Sequence, residues 1–157
     1  MVTIVEVKQH IKKFAAGNEL YLQEVLGCHY ENDIYTFRVW APNAQKVWLV
    51  GDFNDWDKSL EMSQTLDGVW EIKTSLPKEG QLYKFLVKQA DGREVMKIDP
   101  MAFELEPRPG NAAVIVKLPN KKWLDGAWMG RNKRSNHFAR PINIYEVHAS
   151  SWKRHTD

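Results

Sequence analysis

The sequence predicts a mainly β protein whose central part, residues 27–118, folds as an antiparallel β-sandwich. Apolar and polar side chains alternate with a period of two over short segments, which is the pattern of half-buried strands. Turn-forming pairs such as Asp67-Gly68 and Asp91-Gly92 separate these segments about every ten residues, a spacing typical of sandwiches. Runs of β-prone residues, such as residues 47–50, lie between the turns.

Residues 1–26 form a predicted helical segment in front of the sandwich. Thr3 is followed three positions later by Glu6, the spacing of a capping box, in which each side chain satisfies an unpaired backbone N–H. Gly17 stands where this first helix should end, and a short second helix is predicted over 19–26. One face of the first helix carries the apolar residues Ile4, Val7, Ile11, Phe14 and Ala15.

The strand predicted at 34–39 shows the alternation most clearly. Its residues Tyr35, Phe37 and Val39 alternate with polar ones and are expected to face the core. Residues 51–58 are dense in Gly, Asp and Asn and predict a loop. The other strands of the sandwich are predicted over 47–50, 69–74, 81–89, 94–98 and 113–118.

Two segments of different composition follow the sandwich. Residues 119–140 are rich in Pro, Gly, Asn and basic residues around Trp123 and Trp128, which predicts a linker that packs on another surface through its aromatic rings. Residues 141–157 contain an apolar strand, 142–148, with no partner strand after it. Because a solitary strand is not a domain, we expect the sequence to stop inside a second domain.

Composition narrows the classes of function. The 22 Lys and Arg residues nearly balance the 20 Asp and Glu residues, so the net charge of +2 gives no argument for a nucleic-acid partner. No apolar run is long enough for a signal peptide or a membrane span, and a single cysteine excludes an internal disulfide. We therefore expect a cytoplasmic protein. Its seven tryptophans are anchors of a core or interface, or platforms for sugar rings.

The loop at 51–57 contains three aspartates, a residue type that occurs both in metal sites and in catalytic sites. A calcium loop of the EF-hand kind needs oxygen ligands at alternate positions, but Trp56 stands where the third ligand belongs. A glycoside-cleaving site needs two opposed carboxylates, whereas the three aspartates here share one short loop. The loop therefore predicts neither a metal site nor a catalytic pair.

Carbohydrate binding fits the same loop better. An indole ring can cover the apolar face of a glucose ring, while amide and ammonium groups bond to its hydroxyl rim. Trp56, beside Asn54 in the loop, has this chemistry, and Lys84 should point to the opposite side of its strand from Tyr83. The alternatives are that Trp56 is a plug at the end of the sandwich and that Lys84 is an ordinary exposed lysine.

Several of these segments resemble a known family. Residues 37–44, Phe-Arg-Val-Trp-Ala-Pro-Asn-Ala, and 50–56, Val-Gly-Asp-Phe-Asn-Asp-Trp, resemble the family-48 carbohydrate-binding modules. These modules are immunoglobulin-like β-sandwiches that precede the catalytic barrel in many members of the alpha-amylase superfamily. The motifs 83–85 and 99–100 fit the same family in order and spacing. The segments that resemble bacterial glycogen branching enzymes specifically are 106–110, 128–129, 144–148 and 151–155.

The resemblance implies a transfer reaction for the whole enzyme. Such an enzyme cleaves an α-1,4-linked glucan and moves the cut segment to a 6-hydroxyl, with a carboxylate nucleophile and a carboxylic acid/base and without a cofactor. In this family the strand at 144–148 is the first barrel strand, and the catalytic acids lie on later strands. We therefore expect this chain to be non-catalytic, with an α-glucan and the catalytic barrel as its partners.

The resemblance also assigns the candidate site residues. In the related glycogen-binding domain of the AMP-activated kinase beta subunit, a Trp and a Lys that correspond to Trp56 and Lys84 contact glucan. A second sugar-stacking Trp of that domain corresponds most nearly to Met96, which offers no flat platform, so weaker binding is implied here. Two alternatives stay open, a free-standing glycogen-binding module and a domain that only packs on the barrel.

Overall fold

The computed structural model describes residues 3–66, 68–118, 123–135, 139, 141, 143–148 and 152. The chain separates into two compact units, residues 1–119 and 120–157. The first unit contains the sandwich and helix α1 (Ile4–Ala15), and the second contains helix α2 (Gly126–Arg134). Neither helix in the described part of the chain has the length and apolar character needed to cross a membrane.

Helix α1 begins as the sequence predicts. The Thr3 hydroxyl accepts from the Glu6 N–H at 3.3 Å, and the Glu6 carboxylate accepts from the Thr3 N–H at 2.7 Å, which completes the capping box. Gly17, with a φ of 73°, follows the helix as predicted. The predicted helix over 19–26 is wrong: the segment contains a 3₁₀ turn, Leu22–Glu24. Its buried residues Leu22, Val25 and Leu26 pack against Val7 and Val69, and this packing overrides local helix propensity.

Within the described residues, ten strands form two antiparallel sheets. The first sheet has the order β1-β2-β6-β5, and the second has the order β4-β3-β7-β10-β9 with β8 also paired to β7. The strands are β1 Gly27–Glu31, β2 Ile34–Trp40, β3 Lys46–Gly51, β4 Leu60–Glu61, β5 Ser63–Leu66, β6 Val69–Thr74, β7 Leu82–Lys88, β8 Glu94–Lys97, β9 Glu104–Leu105 and β10 Ala113–Val114.

The main core lies between the two sheets. Phe37 of β2 and Tyr83 of β7 meet edge to face, with ring centroids 5.1 Å apart. The Tyr83 hydroxyl donates to the buried carboxylate of Asp99 at 2.7 Å, and Asp99 also accepts from the Met101 N–H at 2.8 Å. Buried side chains from both sheets confirm the predicted sandwich; they are Tyr35, Phe37, Val39 and Trp70 from the first and Val47, Leu49, Tyr83, Phe85 and Ala113 from the second.

The segments after the sandwich differ from expectation. The predicted linker at 119–140 contains helix α2. Residues 143–148 of the predicted barrel strand form no strand, and Ile142 lies outside the described residues. A strand exists through hydrogen bonds to a neighbouring strand, and the described part of residues 120–157 supplies no such neighbour. The barrel strand therefore stays a prediction.

Candidate functional site

The candidate site lies on the outer face of the second sheet. Because successive side chains of a strand point to opposite faces, β3 turns Trp48 and Val50 outward and β7 turns Lys84 and Leu86 outward. The strand register places Trp48 opposite Leu86 and Val50 opposite Lys84. Lys84 therefore shares one face with an apolar cluster made of Trp48, Val50 and Leu86.

Trp56 belongs to the same face. Its half-buried side chain packs against the outer cluster, defined as Trp48, Val50 and Leu86. It is therefore not a plug between the two sheets at the end of the sandwich. The structure thus brings Trp56 and Lys84, which are 28 positions apart in the sequence, to one surface.

The loop before Trp56 holds the indole ring in a fixed position. One carboxylate oxygen of Asp52, Oδ1, accepts from the Trp56 indole N–H at 3.0 Å, and the other, Oδ2, accepts from the Leu82 N–H at 2.8 Å. Asp55 and Trp56 both have a left-handed backbone, with φ of 52° and 58°. This conformation costs roughly 1–2 kcal/mol per non-glycine residue, so the surrounding contacts must stabilise it.

Asn54 is used inside the loop. Its side-chain oxygen accepts from the Gly51 N–H at 2.9 Å, and its amide nitrogen donates to the carbonyls of Leu49 and Asp57 at 3.1 and 3.2 Å. These bonds engage both ends of the side chain. Asn54 therefore supports the loop that carries Trp56, and we revise its predicted role as a glucan contact accordingly.

The close approach of two backbones fixes the start of this loop. A Cβ on Gly51 would lie 2.4 Å from the Leu82 carbonyl oxygen, closer than any real side chain allows. The Gly51 carbonyl in turn accepts from the Trp56 N–H at 3.0 Å. Glycine at position 51 thus lets the Trp56 loop sit directly against β7.

Lys84 has a polar partner that sequence reasoning missed. Its ammonium group donates to the side-chain oxygen of Asn111, an exposed residue just before β10. No local motif marks Asn111, because its place beside Lys84 comes from the pairing of β10 with β7. The only indication in the sequence was the strand predicted at 113–118, which follows Asn111 and includes β10.

Met96 of β8 lies beside the outer cluster, on the side of β7 away from β3. It faces Leu86 across the β7–β8 pair and is 44% exposed. The position that the resemblance associates with a second aromatic platform is thus on the same face as Trp56, but it carries a flexible thioether.

Comparison with known proteins decides the family. Residues 25–102 match the model of carbohydrate-binding module 48, the isoamylase N-terminal domain. Over all 157 residues the chain is 99% identical to the 1,4-alpha-glucan branching enzyme GlgB of Lactobacillus acidophilus. The chain belongs to the 1,4-alpha-glucan branching enzyme family.

A second branching enzyme, GlgB of Lactiplantibacillus plantarum, is 44% identical over 145 residues, which are 92% of the chain. The chain spans 25% of the first branching enzyme and 23% of the second, about a quarter of each. It represents the N-terminal, module-bearing region of the family. The resemblance drawn from residues 37–44 and 50–56 is confirmed.

Solved structures agree on the fold. A protein from Salmonella typhimurium, described as a putative alpha amylase, matches 66% of the chain and 17% of its own length, with 26% identity and a TM-score of 0.51. A pullulanase from Anoxybacillus sp. LM18-11, complexed with maltotriose, matches 62% of the chain and 15% of its own length, with 24% identity and a TM-score of 0.51. These matches support the β-sandwich fold.

Proposed function

We propose that the outer face of the second sheet binds α-glucan, with Trp56 as the stacking platform and Lys84 and Asn111 as contacts to sugar hydroxyls. The observation that carries this proposal is the shared face: Trp56 packs on the outer cluster, and Lys84 stands opposite Val50 of that cluster. A glucose ring presents an apolar face to the indole and hydroxyls to the neighbouring ammonium and amide groups. Asn54 contributes through the loop that it stabilises.

The family supports the choice of ligand. Residues 25–102 match a family described as a carbohydrate-binding module, and the curated relatives are named for their action on an α-1,4-glucan. A linear α-1,4-glucan is therefore the ligand class that we propose.

We infer that the whole protein acts in the cytoplasm as a branching enzyme. Such an enzyme breaks one α-1,4 bond and forms one α-1,6 bond, so glycosidic bonds are exchanged without loss of a sugar. In this proposal, these 157 residues are non-catalytic and position glucan and barrel relative to each other. Neither a metal nor an organic cofactor enters the proposal.

A titration with maltoheptaose, followed by tryptophan fluorescence, tests the glucan site. We expect saturable binding by the wild-type chain that Trp56→Ala abolishes. Trp128→Ala is the matched control, because it removes an exposed Trp from the second unit and should leave binding unchanged. Failure of the wild-type chain to bind at millimolar sugar would overturn the proposal.

A second function is favoured by the surface of the second unit. Its described residues expose large apolar side chains, and an exposed apolar surface of this kind marks a protein–protein contact. We propose that this unit packs with the rest of the catalytic barrel of the same protein, whose first strand is predicted at 144–148. The side chains concerned are Trp123, Leu124, Trp128, Met129, Ile144, Tyr145, Val147 and Trp152.

A further inference from the structure

Trp48 combines an outward position with deep burial. It points out from β3 on the same face as Trp56, yet only 7% of its surface is exposed. Two ammonium groups cover its ring: Lys58 Nζ lies 5.2 Å and Lys46 Nζ lies 5.9 Å from the ring centroid. Both distances are within the range of cation–π attraction.

Two ion pairs hold these lysines over the ring. Lys46 pairs with Glu61 of β4 at 2.9 Å, and Lys58 pairs with Glu94 of β8. The four side chains are 35–50% exposed. Ion pairs this exposed contribute little net stability, because water and dissolved salt screen them. The cover over Trp48, formed by Lys46, Lys58, Glu61 and Glu94, can therefore open at small cost.

We propose that Trp48 is a second, covered platform for α-glucan. It becomes accessible when a glucan that extends beyond the Trp56 ring breaks the Lys58–Glu94 and Lys46–Glu61 ion pairs. This inference rests on the proposed glucan site at Trp56. The ligand is a linear α-1,4-glucan long enough to cover two neighbouring indole rings. Shorter sugars occupy Trp56 and leave the cover closed.

The surroundings of Trp48 fit this role. Trp48 and Trp56 pack in one apolar cluster with Val50 and Leu86, so an opened cover would place the Trp48 ring on the same face as the Trp56 platform. An opened cover leaves two ammonium and two carboxylate groups around the ring, where they can bond to the hydroxyl rim of a sugar. Hydrogen bonds to the sugar hydroxyls then replace the broken ion pairs.

Titrations with maltose and maltoheptaose test the inference on the 157-residue chain. Lys58→Ala removes one of the two ammonium groups over Trp48. We therefore expect maltoheptaose to bind roughly threefold to fivefold more tightly, while maltose binding stays unchanged. Lys73→Ala is the matched control: it removes an ion-paired lysine of similar exposure from β6, in the other sheet, and should change neither affinity. For the wild-type chain, about 1 M NaCl should favour maltoheptaose selectively, because the screening length then falls to about 3 Å.

The outcomes separate this inference from the proposed function. If the wild-type chain binds both sugars and Lys58→Ala improves neither, or improves both equally, the covered platform is refuted while the Trp56 site stands. If the wild-type chain binds neither sugar, both proposals fail. Trp48→Leu in the Lys58→Ala background should lose the added maltoheptaose affinity and keep maltose binding. If that variant does not fold, the Lys58→Ala and salt results decide alone.

Discussion

At the scale of single residues, Asp52 controls how Trp56 is presented. Its two carboxylate oxygens connect the Trp56 indole to the first residue of β7, so the ring position is set before any ligand arrives. A platform that is already ordered avoids the entropy cost of fixing a side chain on binding. Asp52 is thus a positioning residue that acts through Trp56.

Replacing Asp52 with Ala should weaken maltoheptaose binding about twofold to tenfold, because ordering a free side chain costs about 0.5–1.5 kcal/mol. Asp52→Asn keeps an oxygen that can accept from the indole N–H, so it should fall between the wild-type chain and Asp52→Ala. Asp91→Ala, which removes an exposed pair with Arg93 in another turn, is the control. The positioning role would be contradicted if Asp52→Ala and the wild-type chain bound maltoheptaose with equal affinity while Trp56→Ala did not bind it.

A second residue-scale effect concerns pH. Burial raises the pKa of Asp99 above its ordinary value, although the hydrogen bonds from Tyr83 and Met101 oppose this shift. As the pH rises from about 4, the unfolded chain releases this proton first, while the folded chain still holds it. The stability of the folded state therefore falls until the pH passes the raised pKa.

Urea unfolding of the wild-type chain and Asp99→Asn over a pH series measures this effect. The free energy of unfolding of Asp99→Asn minus that of the wild-type chain should rise from about pH 4 upward and then level off. Asp57→Asn is the comparison with the opposite sign, because hydrogen bonds from Ser59 lower the pKa of Asp57. Its difference from the wild-type chain should fall as the pH rises to about 4 and stay level above that. A difference for Asp99→Asn that falls with pH, or does not change, would contradict the account.

At the scale of elements, periodic segments were predictable and short ones were not. The alternation in β2 and the pairing of Thr3 with Glu6 are local signals, and the structure has both elements. Strands of two residues, such as β4 and β9, carry no period that a sequence can show. Their positions follow from pairing with β3 and β10.

The same distinction applies to the candidate site. Trp56 and Lys84 stand in motifs that can be recognised in the sequence, and the fold brings them to one face. Asn111 and the cover over Trp48 depend on contacts between strands that are distant in the sequence. The sequence predicted that the side-chain amide of Asn54 would contact glucan, but in the structure this amide makes hydrogen bonds to the backbone of its own loop.

At the scale of the whole molecule, the first unit has its own core. The core between the sheets and the second cluster under α1 both lie within residues 1–119. Deleting residues 141–157 should therefore change the melting temperature by less than about 2 °C, since a loss of 1 kcal/mol would shift it by more.

Deleting residues 1–17 is the control for this truncation. It removes Val7, which is fully buried against Leu22, Val25 and Val69, and should lower the melting temperature clearly. A large loss of melting temperature on removal of 141–157 would show that this segment belongs to the sandwich.

Stacking of an α-glucan on Trp56 would change the environment of its indole N–H group, which can be followed by nuclear magnetic resonance. We predict that the Trp56 resonance, assigned by its absence in Trp56→Ala, shifts saturably as maltoheptaose is added, while the Trp128 resonance stays in place. A titration that leaves the Trp56 resonance unmoved, or that shifts only indoles outside the outer face of the second sheet, would contradict the account.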